Sequence, residues 1–338
     1  SRLWTRSLLL APARSPAMSV EAGNPEVALV PVDAELAGQR IDNFLLARIK
    51  GVPRSHVYRI LRRGEVRVNK GRVKPDYRLQ TGDLVRIPPV RTVEPRRAGQ
   101  APASRLRGRA GAILYEDERL LVVDKPAGLA VHGGSGLSFG LIEAMRQLRP
   151  GAALELVHRL DRDTSGCLLL TKRASTLRDL HRLIREKSVE KRYLALLTRP
   201  LPRPEMTVDA PLRKNILLGG ERVVRVDTAE GKPARTLFRR MRRYGDLDLV
   251  EARLVTGRTH QIRVHAAHLG APLAGDEKYG NEAANKALRP LGLKRLFLHA
   301  ASLTLQPAHL DQPLRIQAPL PAELEALLAR LEQNGKEG

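Results

Sequence analysis

The sequence predicts an α+β protein, in which a small helix-rich domain precedes a larger domain with a mixed, mainly antiparallel sheet flanked by helices. Three observations support this prediction. Hydrophobic residues make up 42% of the 338 residues, which is enough for a buried core. The formal net charge is +23, and most of the excess lies near the front of the chain. Further on, helical and strand patterns alternate without a βαβ repeat, which favours antiparallel pairing.

The front domain, which we delimit as residues 18–90, contains two stretches with helical spacing of apolar residues, RIDNFLLARIKG and PRSHVYRILRRG. The second stretch ends at Gly64, as helices often do. The segments EVRVN, GRVK and DLVRIP then predict three short strands, separated by turns that contain glycine. Together these elements form a module about half as long as an ordinary domain.

Positive charge is concentrated in this region. Between Arg40 and Ala110, 19 Lys or Arg residues stand against 5 Asp or Glu, a surplus of 14 out of the total of 23. Such a surplus indicates a polyanionic partner, either nucleic acid or an acidic membrane surface. No apolar run approaches the ~20 residues that span a bilayer. We expect phosphate contacts, rather than a merely solvated face, from Arg54, Arg59, Arg62, Arg63, Arg67 and Lys70.

The remaining boundaries follow from composition. Residues 1–17 precede Met18, the first methionine, and are expected to be an upstream or non-native segment. Residues 91–111 are rich in Arg, Ala, Pro and Gly and are expected to be a flexible basic linker. The larger domain is assigned to 112–325 and a polar tail to 326–338. The single cysteine, Cys167, excludes an internal disulfide and favours a reducing compartment, so we expect a cytoplasmic protein.

Missing motifs exclude several kinds of chemistry. The sequence contains neither a G-x-x-x-x-G-K-[ST] phosphate loop nor a G-x-G-x-x-G dinucleotide motif after a strand. The chain therefore lacks the nucleotide or cofactor site that a helicase, a kinase or a methyltransferase needs. His260, His265 and His268 are spaced by five and three residues, which does not place all three on one helical face. We expect no metal site.

A small set of polar residues lies at predicted strand ends and helix starts. The set comprises Lys125 in DKPAGLAVH, Asp161 in HRLDRDTSG, Tyr193 in KRYLALL, and Arg258, His260 and Arg263 in TGRTHQIRVH. It suits a reaction that uses a carboxylate as nucleophile or base, an aromatic face for a planar ring, and cations for phosphates. A nucleobase reaction on RNA has these requirements. Each residue also has a structural alternative: a surface ion pair for Asp161, core packing for Tyr193, and an exposed helical position for Arg263.

Two resemblances narrow this interpretation. The stretch from GQRIDNFLLARIKG to GDLVRI resembles the small RNA-binding module first described in ribosomal protein S4. The motifs HRLDRDTSG, KPAGLAVHGG, KRYLAL and TGRTHQIRVH together resemble the RluA-type family of RNA pseudouridine synthases. This second resemblance extends from about Gly38 to Leu320. It implies the pseudouridine synthase fold and isomerisation of uridine to pseudouridine in RNA, without a cofactor or metal.

The resemblance also implies roles for individual residues. Asp161 matches the catalytic aspartate, whose action as a nucleophile on the sugar or as a base remains open. Arg263 matches its ion-pair partner. Tyr193 matches an active-site tyrosine that stacks on the flipped base and is expected to help remove the C5 proton. Arg159 matches an arginine that enters the RNA stack during base flipping. Further flipping or RNA-contact roles are expected for His158, Arg258, His260 and Lys125.

The expected substrate is large-subunit ribosomal RNA. A synthase acting on transfer RNA and a non-catalytic RNA-binding ribosome-assembly factor are the alternatives. We expect a monomer that needs no membrane and no obligate protein partner.

Overall fold

The computed structural model of the chain separates into two compact units on either side of residue 96. The described residues are 27–49, 52, 54–90, 111–133, 140–218 and 221–337. The predicted segment 1–17 and all but the last residue of the predicted linker 91–111 lie outside them. Within these described ranges, no helix is both long enough and apolar enough to cross a bilayer.

In its described residues, the first unit combines two helices with a three-stranded antiparallel sheet. Its strands lie in the order β1-β3-β2. In chain order the elements are β1 (Ala28–Pro31), α1 (Ile41–Arg48), α2 (Arg54–Arg62), β2 (Arg67–Val68) and β3 (Leu84–Ile87).

Both predicted helices form because their apolar residues face one core. Phe44 and Leu45 on α1 pack with Val57, Ile60 and Leu61 on α2, and all five are buried. The spacing of three and four residues brings such side chains onto one face of a helix. The prediction of these two helices is confirmed.

The strands of this unit differ from the prediction. Of the segment GRVK, only Gly71 pairs, in an isolated bridge with Val68, because the chain turns back there. Asn69 and Lys70 form that turn with positive φ angles of 49° and 69°. The sheet instead recruits β1, whose mostly exposed residues show no alternating pattern from which a strand could be predicted.

The second unit contains a ten-stranded sheet and a separate hairpin. The hairpin is β10 (Leu212–Leu218) with β11 (Glu221–Val226). The strands of the large sheet are β4 (Ala112–Glu116), β5 (Leu120–Lys125), β6 (Glu155–Leu156), β7 (Ser165–Thr171), β8 (Glu190–Leu197), β9 (Glu205–Asp209), β12 (Arg235–Tyr244), β13 (Leu247–Leu254), β14 (Leu298–Leu305) and β15 (Leu314–Gln317).

The main path of this sheet runs β4-β5-β7-β14-β8-β13-β12-β9, while β6 pairs with β7 and β15 with β14. Strands β7 and β14 pair in parallel, and the other described pairings are antiparallel. The predicted mixed, mainly antiparallel sheet is therefore confirmed.

Among the described residues of this unit, five helices and a short 3-10 turn accompany the sheet. They are α3 (Leu141–Leu148), α4 (Ala174–Arg185), α5 (Gln261–His268), α6 (Glu282–Leu288), the 3-10 turn Arg289–Leu291, and α7 (Ala322–Glu337).

Helices cover both faces of the sheet, and this explains the continuous apolar runs in its central strands. In β7, Leu168 and Leu170 join the core that contains α3 and α5, whereas Leu169 joins the core that contains α4. Successive residues of a strand point to opposite faces, so a strand buried on both sides is apolar throughout.

The predicted polar tail from residue 326 is wrong. Helix α7 continues to Glu337, and Leu327 is buried with Leu324 against Phe297. Leu328 and Leu331 pack against the same cluster. The leucines recur at intervals of three and four residues, so one helical stripe extends past the predicted boundary.

Candidate active site

The polar residues that the sequence singled out converge on one large cleft in the second unit. This cleft has a volume of about 1820 Å³ and is lined by Asp161, Tyr193, Arg258, His260 and Arg263. They come from the loop before β7, from strand β8, and from the loop and first turn of α5. A cleft with convergent polar groups from several elements is the default position for an active site.

Asp161 lies in the loop between β6 and β7, with its side chain 27% exposed. The backbone N–H of Thr164 donates to its carbonyl oxygen at 3.1 Å, which closes a tight turn. The arginines beside Asp161 in the sequence do not hold its carboxylate. Arg162 pairs with Asp163 at 3.2 Å, and Arg159 is exposed, with no hydrogen bond to another residue of the described ranges.

The cation that faces Asp161 is Arg263 on α5. Its Nη1 lies 3.4 Å from Asp161 Oδ2. Its Nε and Nη2 each donate a 2.8 Å hydrogen bond to the carboxylate of Asp276. The side chain of Asp276 has no exposed surface, and that of Arg263 is 12% exposed. Arg263 is therefore anchored by the carboxylate of Asp276, and its remaining Nη1 is directed at the carboxylate of Asp161.

The buried pair has perturbed pKa values. Burial tends to raise the pKa of Asp276, but the hydrogen bonds and charge of Arg263, together with two backbone N–H groups, outweigh it and lower the pKa. Burial tends to lower the pKa of Arg263, but Asp276 and then Asp161 raise it overall. Both groups are therefore charged at neutral pH. The guanidinium stays available to an anion on its Asp161 side.

Tyr193 lies on β8, between β13 and β14, where it faces Ala252 and Ala300 in register. Its side chain lines the cleft and only 6% of the residue is exposed. Burial and then the nearby Asp161 raise the pKa of Tyr193 well above its ordinary value. The phenol is therefore protonated at neutral pH and offers the cleft an aromatic ring and a hydroxyl.

Lys125 does not occupy the RNA-contact position predicted for it. The residue has no exposed surface, and its ammonium donates three 2.8 Å hydrogen bonds to the carbonyl oxygens of Pro126, Leu129 and Arg162. Burial lowers its pKa to about 7. Three donors matched by three acceptors make a structural anchor, and one anchored carbonyl belongs to the residue after Asp161.

The side chains of His158 and Arg258 also form hydrogen bonds with backbone groups of the protein. The Nε2 atom of His158 accepts a 3.1 Å hydrogen bond from the backbone N–H of Leu169, and burial lowers the pKa of His158 to about 3. A neutral ring in this position supports the strand and brings no positive charge to a phosphate. Arg258 is exposed, with its Nε donating to the carbonyl oxygen of Pro233 at 3.0 Å.

The sequence interpretation missed two residues of the site. Arg295 donates to the carbonyl oxygen of Asp163 at 3.4 Å and to the Ser165 hydroxyl at 2.9 Å, which anchors the Asp161 loop from a second side. Asp276 was missed although it lies in GDEKYG, a polar turn flanked by glycines. Neither residue lies at a spacing that links it to Asp161, so only the fold brings them together.

The histidines of α5 do not form a metal site. Both ring nitrogens of buried His265 are engaged, with Nδ1 2.8 Å from the Thr236 hydroxyl and Nε2 2.8 Å from the carbonyl oxygen of Ala210. Within the described residues, no group of three His, Cys, Asp or Glu side chains is arranged to hold a metal ion.

In the first unit, the predicted basic residues divide into two groups. Arg67 is half-buried, and its guanidinium donates to the carbonyl oxygens of Gly64 and Lys70 at 3.2 and 3.1 Å. This side chain fixes the turn after α2. The exposed members of the set are Arg54, Arg59, Arg62, Arg63 and Lys70.

Comparison with known proteins agrees with the division of the chain into two units. A family model described as RNA pseudouridylate synthase matches residues 119–268, and an S4 domain model matches residues 39–85. Human RNA pseudouridylate synthase domain containing 4 has a similar structure, with a TM-score of 0.56 and 27% identity, over 68% of this chain and 96% of that chain. Human RNA pseudouridylate synthase domain containing 1 gives a TM-score of 0.54, also at 27% identity, over 67% of this chain and 95% of that chain.

Curated relatives match over nearly the whole chain. The ribosomal large subunit pseudouridine synthase C of Yersinia pestis is 53% identical over 317 residues, which cover 93% of this chain and 99% of the relative. The protein of the same name from Escherichia coli K12 is 52% identical over 311 residues, or 91% and 97% of the two chains. The chain therefore belongs to the RluA-type RNA pseudouridine synthases, enzymes that isomerise uridine to pseudouridine in RNA.

Proposed function

We propose that this enzyme converts specific uridines of large-subunit ribosomal RNA to pseudouridine, and that Asp161 is the group that acts on the ribose. The main support for the role of Asp161 is its 3.4 Å contact with Arg263 in a cleft that Tyr193 also lines. The support for the substrate is the name shared by relatives that are 52–53% identical, together with the basic S4 domain.

The reaction needs no co-reactant. The N1–C1′ bond of the uridine breaks and a C5–C1′ bond forms, while C5 loses a proton and N1 gains one. Asp161 either attacks C1′ and releases the uracil as an anion, or removes the C2′ proton. Both routes require an ionised carboxylate, and the Arg263 guanidinium lies opposite Oδ2, with its Nη1 at 3.4 Å.

Access to C1′ requires the uridine to leave its stack, because a carboxylate cannot reach that atom inside a helix. Arg159 is exposed two residues before Asp161 in the same loop, which supports the proposal that its side chain enters the stack when the base leaves. Tyr193 offers its ring to the uracil. Since its pKa is raised, it contributes as a neutral phenol, by stacking and hydrogen bonding, rather than as a phenolate base.

The exposed cations of the S4 domain supply sequence-independent phosphate contacts, which increase the affinity of the enzyme for structured RNA. We further propose that the enzyme acts as a monomer in the cytoplasm.

Pseudouridine mapping tests the proposal. Unmodified large-subunit ribosomal RNA is incubated with wild-type, Asp161→Asn or Asp246→Asn protein in EDTA, then treated with carbodiimide and mapped by primer extension. Asp246 is an exposed turn residue outside the cleft and serves as the matched control. We expect new stops with wild type and Asp246→Asn, and none with Asp161→Asn despite unchanged RNA binding.

Stops with Asp161→Asn would remove Asp161 from the mechanism. Stops on transfer RNA but not on ribosomal RNA, whether free or in partly assembled subunits, would overturn the proposed substrate. The positions of the stops would identify the modified uridines.

A further inference from the structure

The imidazole of His260 lies between Asp161 and Tyr279. Its Nε2 is 3.8 Å from Asp161 Oδ1, and its Nδ1 is 2.7 Å from the Tyr279 hydroxyl. The two rings meet edge to face, with centroids 5.4 Å apart and planes at 67°. Arg263 approaches Oδ2, the other carboxylate oxygen of Asp161. The two oxygens therefore face two different donors.

We infer the tautomer of His260 from the hydrogen bonds of Tyr279. The Tyr279 oxygen accepts a 3.0 Å hydrogen bond from the backbone N–H of Val224. Its own hydrogen is then directed at Nδ1 of the neutral imidazole, which accepts it, so the ring proton resides on Nε2. This proton points toward Asp161.

The environment keeps this ring neutral. Burial lowers the pKa of His260 below its ordinary value, with Asp161 opposing the shift and Arg263 adding to it. The other charged or titratable groups that act on the ring are Lys278, Asp276 and Tyr279. At neutral pH the imidazole is a donor without a net charge.

The backbone holds the ring in place at some cost. His260 has a left-handed conformation, with φ 53° and ψ 21°, immediately before α5. Such a conformation is uncommon for a residue other than glycine. The buried side chain of Gln261 stabilises it, since Oε1 accepts from the Arg258 N–H at 3.0 Å and from the Thr256 hydroxyl at 2.7 Å.

We propose that His260 is a positioning residue for Asp161, with its Nε2–H steering Oδ1 while Arg263 steers Oδ2, so that the carboxylate plane is fixed relative to C1′. The inference depends on the proposed function of Asp161. The two contacts, at 3.4 and 3.8 Å, are longer than good hydrogen bonds, as catalytic contacts often are before substrate binds. A neutral donor orients the carboxylate, whereas an imidazolium would bind it as an ion pair and make it less reactive.

The test compares His260→Ala, His260→Gln and wild type in single-turnover reactions across pH 4.5–8. Alanine removes the donor, and we expect the rate at saturating RNA to fall about 10- to 100-fold, as for a reacting group displaced by up to 1 Å. Glutamine keeps an N–H donor that cannot titrate, and we expect it to recover most of the loss. RNA affinity should change little in either variant.

The pH profile separates positioning from a purely structural role. In wild type, we expect the rate to fall as the pH drops through the pKa of His260, below 6.5, because the imidazolium binds Asp161 as an ion pair and makes its carboxylate less reactive. That fall should be absent in His260→Gln. It should be unchanged in His268→Gln, the control, because His268 is the exposed last residue of helix α5. A wild-type pH profile in both His260 variants, or full activity of His260→Ala, would overturn the inference. If Asp161→Asn were still inactive, the proposed function would stand.

Discussion

Arg263 and Asp276 form a buried fork, in which Nε and Nη2 of the guanidinium donate to the two oxygens of one carboxylate, each at 2.8 Å. A guanidinium is planar and rigid, so two bonds on one edge also fix the direction of the remaining Nη1. That atom lies 3.4 Å from Asp161. A fully buried carboxylate thus determines where the positive charge meets the carboxylate that we propose as catalytic.

We expect Asp276→Asn to lower the single-turnover rate about 10- to 100-fold, because a misdirected Arg263 no longer orients Asp161. The free energy of unfolding should fall by about 3–5 kcal/mol, the usual effect of removing one partner from a buried ion pair. Rates are measured on folded protein, and stability by urea denaturation.

Asp248→Asn is the matched control for this variant. Asp248 is also fully buried and pairs with Arg240 at 2.8 Å and Arg243 at 3.2 Å, but it does not line the cleft. It should lose comparable stability and keep its rate. Equal losses of rate in the two folded variants would contradict a directing role for Asp276.

The parallel pairing of β7 with β14 allows a prediction at Gly166. This residue has φ of 110°, and a Cβ atom there would lie 2.2 Å from the carbonyl oxygen of Ala300. We expect Gly166→Ala to lower the free energy of unfolding by about 4 kcal/mol or more, because two strands have to separate. Gly151→Ala isolates the cost of the backbone angle, since φ there is 95° but nothing lies within 4 Å. Its expected cost is about 1–2 kcal/mol, and an equal loss in both variants would exclude the clash.

Fold class, family and type of enzyme were all predictable from the sequence, and the comparisons confirm them. Local patterns were sufficient for the helices of the S4 domain and for the motif that contains Asp161. They were not sufficient for β1, which has no alternating pattern, or for the end of α7, where polar composition concealed a leucine stripe.

In the candidate active site, the sequence did not reveal which groups the charged side chains contact. Arg162 directly follows Asp161 in the sequence, yet the turn directs its guanidinium to Asp163. The positive charge of Lys125 suggested an RNA contact. In the structure the side chain is buried, and its ammonium donates to three carbonyl oxygens. Such partners come from tertiary packing between segments far apart in the sequence.

The two groups of basic residues in the S4 domain should respond differently to mutation. Arg54→Ala removes an exposed cation, so we expect weaker RNA binding and a decrease of about 1 in the slope of log affinity against log salt. Arg67→Ala removes donors to two carbonyl oxygens and should mainly destabilise the domain. Binding is measured from 50 to 300 mM salt under conditions where both variants are folded. A larger change of slope in Arg67→Ala than in Arg54→Ala would contradict the division.

Asp117 provides a prediction about stability and pH. Burial tends to raise its pKa, but hydrogen bonds from His309, two backbone N–H groups and Tyr115 lower it to about 2. Because the folded pKa lies below the unfolded value of 3.8, the ionised carboxylate stabilises the fold above pH 4, and this contribution is lost as the pH falls toward 2. A shift of this size corresponds to about 2 kcal/mol.

We therefore expect Asp117→Asn to lower the free energy of unfolding by about 2 kcal/mol at pH 6, and the difference from wild type to shrink between pH 4 and pH 2. Urea denaturation at several pH values measures this difference. Asp246→Asn, which changes an exposed aspartate, should match wild type throughout. A deficit of Asp117→Asn that stays constant from pH 6 to pH 2 would show that the carboxylate acts through its shape and not its charge.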